Sequence, residues 1–316
     1  MESNMHYLIA IDGGGTKTQA VLFQENGIIL ASIKEKGTNP LDIGEEVARR
    51  RISELINQLV FVSPESVSAI YAGIAGMVYY NDFFGDDMRR QISCCNIKIE
   101  TDGRNLISSE LYNDEDGCCL IVGTGCGTWV RNHNYKEIFH VGGWGYLVDT
   151  LGSGYSIGRE VVRAVCLEMD GRGRKTILSE LLEKETNLKF PSYIPFLYSG
   201  GRTRFASLAH LAFEGKRMSD KVCSDIIDEG AKKLSELIWT VDHYFEDNYP
   251  VIVGGGVVTI FPEYFDLIKM KCPNRSNLIL AKNPPIFGAA VEAMHQAGLR
   301  LPQCFRKNFC NYLAKN

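Results

Sequence analysis

Three glycine-rich turns carry most of the chemistry that the residues can support. Asp12-Gly13-Gly14-Gly15-Thr16-Lys17-Thr18 follows the apolar run Tyr7-Leu8-Ile9-Ala10-Ile11. Glycine tolerates unusual dihedrals and close approach, so such a turn can converge several backbone N–H groups on a phosphate. Asp12 at its head suits a magnesium ion held through water, and the Thr16 hydroxyl suits a phosphate oxygen. A plain hairpin or bulge would use the same glycines with no ligand at all. A similar unit recurs at Cys118-Cys119-Leu120-Ile121-Val122, Gly123-Thr124-Gly125-Cys126-Gly127-Thr128 and Trp129-Val130-Arg131, and a third turn, Val253-Gly254-Gly255-Gly256-Val257, follows a long helical stretch. The chain has neither G-x-x-x-x-G-K-[ST] nor G-x-G-x-x-G, which argues against a P-loop NTPase and against a dinucleotide fold.

These turns need a frame. Residues 46–60 place Val47, Ile52, Leu55, Ile56 and Leu59 on one helical stripe, with Glu45, Arg49, Arg50 and Glu54 outside it. Residues 67–71, before Ala72-Gly73-Ile74-Ala75-Gly76, read as a buried strand, and 97–101 as another. Strands interleaved with helices give an α/β lobe. The second half repeats the rhythm: a helix over 156–168, a long amphipathic helix over 219–245 with Val222, Ile226, Leu234, Leu237, Ile238, Val241 and Phe245 on one face, strands at 250–253 and 277–280, and a last helix over 287–297. A chain of 316 residues exceeds what one core usually organises. The expected division is a first lobe over 1–116, a second over 117–301, and a polar tail over 302–316 open to packing back on the first.

Composition narrows the class. Hydrophobic residues at 45% and charged ones at 23% fit a packed globular protein. The net charge of −4, without a block of five like charges, argues against a nucleic-acid partner. No apolar stretch approaches the ~18 residues of a membrane span, and Met1 to His6 has no basic leader region, so the cytoplasm is the expected compartment. Ten cysteines spread over such a chain are expected to be reduced. The vicinal pairs Cys94-Cys95 and Cys118-Cys119, followed by Cys126, leave open a metal or cluster reading beside that of core packing.

The order of these motifs is completed by Gly142-Gly143-Trp144-Gly145-Tyr146, then Gly152-Ser153-Gly154-Tyr155 and Ile157-Gly158-Arg159-Glu160. Together they resemble the N-acetylglucosamine kinase and BadF/BadG/BcrA/BcrD ATPase family over nearly the whole chain, up to about Leu301. The resemblance implies a two-lobed actin-like ATPase fold, an α/β ribonuclease H-like architecture in duplicate. It implies transfer of the γ-phosphoryl group of ATP to a hydroxyl of an amino sugar, N-acetylglucosamine or a related muramic- or glucosamine-type sugar, with Mg²⁺, in a homodimer. Carried over by position, Asp12, Gly13, Gly14, Gly15, Thr16, Lys17, Thr124 and Gly125 face the phosphates, and Gly254 and Gly255 the adenosine. Asp12 is also the magnesium-side acid. Asp102, in Glu100-Thr101-Asp102-Gly103, faces the sugar hydroxyl as its base; a carboxylate in this role contributes ~10²- to 10⁴-fold, while the plainer reading is a cap on the following helix. The sugar-side set is Asn39, Cys126, Gly127, Gly143, Trp144, Gly145, Tyr146, Asp149 and Thr150. For Asn39 the plainer reading is an Asn-Pro turn, and for Trp144 a packing aromatic.

The pattern departs from the family in two places. Where the family reads Gly-Asp-Glu-Gly-Ser, this chain reads Asp149-Thr150-Leu151-Gly152-Ser153, so Thr150 stands in the place of the sugar-binding acid, with Asp149 one residue away. Cys126-Gly127 stands where the sugar kinases tend to carry Ser-Asn. Both changes remove polar ligands. Two other classes of function remain as expectations to test: an ATPase that drives electron transfer through an iron–sulfur cluster, motivated by the cysteines, and a non-catalytic nucleotide or sugar sensor, motivated by residues 149–151.

Overall fold

The computed structural model describes residues 5–80, 92, 96–135, 138–149 and 152–315. The chain divides into two compact units, Met1–Glu115 with Ala281–Asn316, and Asp116–Leu280.

In the first unit, β1 (Tyr7–Gly13), β2 (Lys17–Gln24), β3 (Ile29–Lys36), β4 (Val67–Ile74) and β5 (Ile97–Glu100) form a sheet in the order β3-β2-β1-β4-β5. The first three strands are antiparallel meander neighbours, and β4 and β5 add in parallel. Alternation along the strands sorts the side chains onto two covered faces. Ile9, Ile11, Leu22 and Ile70 pack under the helix Glu45–Phe61 through Ile52, Leu55, Ile56 and Leu59. Leu8, Ala10, Val21, Phe23 and Tyr71 pack under the helices Pro285–Gln296 and Phe305–Leu313 through Phe287, Val291, Phe305 and Phe309.

In the second unit, β6 (Gly117–Val122), β7 (Cys126–Arg131), β8 (Phe139–Val141), β9 (Tyr249–Gly254) and β10 (Ser276–Leu280) form a sheet in the order β10-β9-β6-β7-β8. Its three antiparallel strands followed by two parallel ones repeat the first sheet step for step. One face is covered by the helices Gly154–Met169, Ala209–Arg217 and Lys221–Val241, whose Ile157, Val161, Ala212, Phe213, Leu234 and Ile238 join Leu120, Val122, Val251 and Val253 in one core.

One boundary differs from the expectation. The second unit ends at Leu280, not 301: the helix Pro285–Gln296 belongs to the first unit, where its apolar face covers β1 and β4. Sequence order suggested otherwise because an apolar stripe identifies a buried face without naming the sheet that buries it. The tail forms the helix Phe305–Leu313, with Phe305 and Phe309 edge-on to Phe23.

Candidate active site

The first glycine turn closes the β1–β2 hairpin. The N–H of Gly14 donates to the carbonyl of Lys17 at 2.9 Å, which leaves Thr16 and Lys17 exposed at the tip. The segment after β3 runs alongside: the N–H of Thr38 donates to the carbonyl of Gly14 at 3.0 Å, and the Thr18 and Thr38 hydroxyls lie 2.9 Å apart. This brings Asn39 beside the turn. Its Oδ1 accepts from the N–H of Leu41 at 3.0 Å and caps the helix Pro40–Ile43, so the turn-forming reading of this residue is realised.

Asp12, near the end of β1, is half-buried and held from behind. Asn105 Nδ2 donates to its Oδ1 at 2.7 Å and to the carbonyl of Gly73 on β4 at 3.1 Å. Asn105 is fully buried, and its own Oδ1 has no hydrogen-bond partner. Asp102 opens the helix Asp102–Glu110 directly after β5. Thr101 holds the N-cap position with no side-chain cap; its hydroxyl donates to Asp102 Oδ1 at 3.3 Å, so Asp102 lies in the first turn and does not occupy the cap. Burial pushes Asp102 up to about 7, and the charge of Asp12 adds to the effect. Burial likewise raises Asp12 to about 6, opposed by the Asn105 hydrogen bond and the Lys17 charge. A carboxylate titrating near neutrality is what proton abstraction from an alcohol requires. Asp12, whose charge adds to the rise at Asp102, also suits a divalent cation approached through water beside an open glycine turn.

A polar brace, which the sequence reading missed, fixes the helix that bears Asp102. Arg104 reaches Glu100 on β5 at 3.0 Å and Glu292 on the helix Pro285–Gln296 at 2.9 Å; Glu292 accepts from the Ser108 hydroxyl. The two helices cross so closely that a Cβ on Gly288 would strike the carbonyl of Asn105. Asn105 at i+3 from Asp102, and Arg104 four residues after Glu100, were the available signals, but neither spacing names a partner beyond its own element.

In the second unit, the turn Gly123-Thr124-Gly125 is closed by the N–H of Gly123 donating to the carbonyl of Gly125 at 2.8 Å. The N–H groups of Gly154 and Tyr155 donate to the carbonyls of Gly123 and Thr124 at 2.8 and 3.1 Å, tying the turn to a helix start capped by Ser153. Gly255, at φ 113°, lies where a Cβ would come within 2.5 Å of the Val122 carbonyl. Gly254 pairs opposite Ile121 and Gly255 abuts Val122, at the end of the strand that leads into Gly123-Thr124-Gly125; Val257 and Ala206 line Gly154.

Cys126 and Gly127 meet the Gly142–Asp149 loop: a Cβ on Gly143 would lie 2.9 Å from the Cys126 carbonyl, and one on Gly127 3.3 Å from the Gly143 Cα. Trp144, 53% exposed, stacks at an angle on His140 with centroids 4.5 Å apart, and Tyr146 meets Tyr155 edge-on at 5.0 Å. Asp149 Oδ2 accepts from the N–H of Gly143 at 2.8 Å and, more weakly, from that of Trp144 at 3.5 Å. Thr150 and Leu151, like Cys94 and Cys95, lie outside the described residues. Among the described residues no three His, Cys, Asp or Glu side chains gather as a metal cluster.

Two sheets of identical strand order, each presenting a glycine turn at the head of its central hairpin, define the two-lobed actin-like ATPase fold. The model of the BadF/BadG/BcrA/BcrD ATPase family matches residues 9–293, and the chain belongs to that family. It is 28% identical to an N-acetyl-D-glucosamine kinase of Dictyostelium discoideum over 319 residues, covering 91% of this chain and 97% of that one. It is likewise 28% identical to an N-acetylmuramic acid/N-acetylglucosamine kinase of Clostridium acetobutylicum over 303 residues, covering 92% and 98%. A crystal structure from Chromobacterium violaceum, described as that of a candidate N-acetylglucosamine kinase, shares the fold with a TM-score of 0.73 at 20% identity, covering 91% of this chain and 98% of that one.

Proposed function

We propose that this protein is an ATP-dependent kinase that phosphorylates a hydroxyl of an amino sugar, N-acetylglucosamine or a close relative such as N-acetylmuramic acid. The observation that carries the reading is Asp102: a half-buried carboxylate raised to about 7, seated at a helix start beside Asp12 and the first glycine turn. The two curated relatives, each matched over nearly its full length, support the substrate class.

In this mechanism the sugar hydroxyl attacks the γ-phosphorus in line, its proton passes to the Asp102 carboxylate, and ADP leaves with the electrons of the broken P–O bond. Backbone N–H groups of Gly13, Gly14 and Gly15, with Thr16 and Lys17, are assigned to phosphate oxygens, as are Thr124 and Gly125. Gly254 and Gly255 give the adenosine close access to backbone, as only residues without a Cβ can. Asp12 would hold Mg²⁺ through water, the ion supplying neutralisation of charge on the phosphate oxygens. Asn39, Cys126, Gly127 and the Gly143–Tyr146 stretch face the sugar, and positioning contributes most of the acceleration. We place the enzyme in the cytoplasm as a homodimer; among the described residues no helix is long and apolar enough to cross a membrane.

The test is ADP release from Mg-ATP across N-acetylglucosamine, N-acetylmuramic acid, glucosamine, N-acetylmannosamine and glucose, with Asp102→Asn as control. Stimulation by one or more amino sugars, lost in Asp102→Asn while nucleotide still binds, is the expected result. Nucleotide binding with no stimulation by any of the five would overturn the reading.

A further inference from the structure

We propose that Asp149 is a positioning residue: its carboxylate staples the Gly142–Asp149 loop into the shape that presents Trp144 and Tyr146, and it does not itself bind the sugar. The inference rests on the kinase reading for what the loop is shaped to meet, but the staple is visible without it.

The loop folds back on itself around this one side chain. Gly142, Gly143 and Gly145 all take positive φ, at 68°, 77° and 102°. Successive residues in such conformations turn their N–H groups toward a common point and make a small concavity for an anion. The anion here belongs to the same loop, since Asp149 Oδ2 accepts from Gly143 and Trp144. The return is closed by the N–H groups of Val148 and Asp149 donating to the carbonyl of Gly145 at 3.1 and 2.8 Å. Besides these hydrogen bonds the loop is held by the Trp144–His140 and Tyr146–Tyr155 ring contacts and by Arg202 over Tyr146, while Trp144, Leu147 and Val148 are 53%, 80% and 81% exposed. Those ring contacts fix side chains at two points, whereas the backbone path between them, glycine-rich and with a large entropy to overcome, is set by the hydrogen bonds to Asp149 and Gly145.

This changes the meaning of the departure at Asp149-Thr150-Leu151. An acid shifted by one residue could have taken over the sugar contact of the missing one. Its Oδ2 is instead engaged by backbone, and the two N–H groups it engages belong to residues of the sugar-side set.

The distinction is testable because the two roles ask different things of the side chain. A staple needs an acceptor oxygen at the Oδ2 position, which asparagine also provides; a sugar ligand draws on the charge, and hydrogen bonds to charged groups are the stronger kind. Asp149→Asn should therefore keep the sugar KM within about threefold of the parent, while Asp149→Ala raises it at least about tenfold with a smaller change in the KM for ATP. A second readout needs neither sugar nor turnover. The chain has three tryptophans, Trp129, Trp144 and Trp239. In a Trp239→Phe background, acrylamide quenching of the sugar-free protein should increase in Asp149→Ala and stay at the parental value in Asp149→Asn. Equal loss of sugar affinity in both variants with unchanged quenching would make Asp149 a direct ligand and overturn the proposal, as would parental behaviour of Asp149→Ala in both measurements. If no sugar is phosphorylated by the parent, the kinase reading fails, and the quenching comparison alone still decides whether Asp149 orders the loop.

Discussion

Asp102→Asn should make the protein more stable at the pH where it works, while removing its activity. The raised proton affinity of Asp102 means that the folded state keeps its proton over a range in which the unfolded chain has lost it. Stability is therefore undiminished below about 3.8, falls as the pH rises toward about 7, and then levels. At 1.36 kcal/mol per unit, the full interval amounts to about 4 kcal/mol; Asp102 is half-buried, and solvent screening reduces this to about 2–4 kcal/mol. Asparagine has nearly the same shape and no charge to desolvate, so it escapes the cost. Thermal unfolding of nucleotide-free protein at pH 8 should show the variant at least about 4 °C above the parent. At pH 5.5, about midway through the interval, the gain should shrink by roughly half. A variant that melts at or below the parental temperature at pH 8, or whose advantage does not change with pH, would refute the claim that this carboxylate is held at an energetic cost.

Two further substitutions test the supports behind the site. Glu292→Ala removes one of the two carboxylates that Arg104 reaches and the Ser108–Glu292 hydrogen bond; removal of one partner of a largely buried ion pair should lower stability by about 3 kcal/mol, measurable by urea unfolding, and Glu292→Gln should recover part of the loss. Gly255→Ala forces a side chain onto a residue at φ 113° with its Cβ 2.5 Å from the Val122 carbonyl, and should cost about 2 kcal/mol or more with weaker ADP binding by calorimetry.

The repeating elements were legible because their signals are local. Apolar runs ending in glycine marked β1, β6 and β9, and the stripe Ile52, Leu55, Ile56, Leu59 marked the helix that in the structure runs from Glu45 to Phe61. The long helix is shorter than its pattern, Lys221–Val241 against 219–245, because Asp220 caps its start by accepting from the N–H of Cys223 and residues Asp242–Tyr244 tighten into a 3₁₀ turn. β3 and β8 lie at sheet edges, and β8 has only three residues, Phe139–Val141, too few to build a period. At the candidate site the turns could be read from glycine spacing, but Asn105 and Glu292 could not. Asn105 acts across 93 residues to reach Asp12 and Glu292 across 184 to reach Ser108; contacts at such separation leave no periodic trace.

The insertion of residues 116–280 between two stretches of the first unit sets an order of birth. On the ribosome, β1, β2 and β4 emerge early, yet the residues that cover one of their faces, Phe287, Val291, Phe305 and Phe309, are translated only after the whole second unit. At ~5–20 residues per second that interval is on the order of ten seconds or more. For that time a nascent chain displays Leu8, Ala10, Val21, Phe23 and Tyr71 on an uncovered sheet, while the later-born unit already has every strand of its own. The half that carries Asp12 and Asp102 is thus begun before the other half and finished after it.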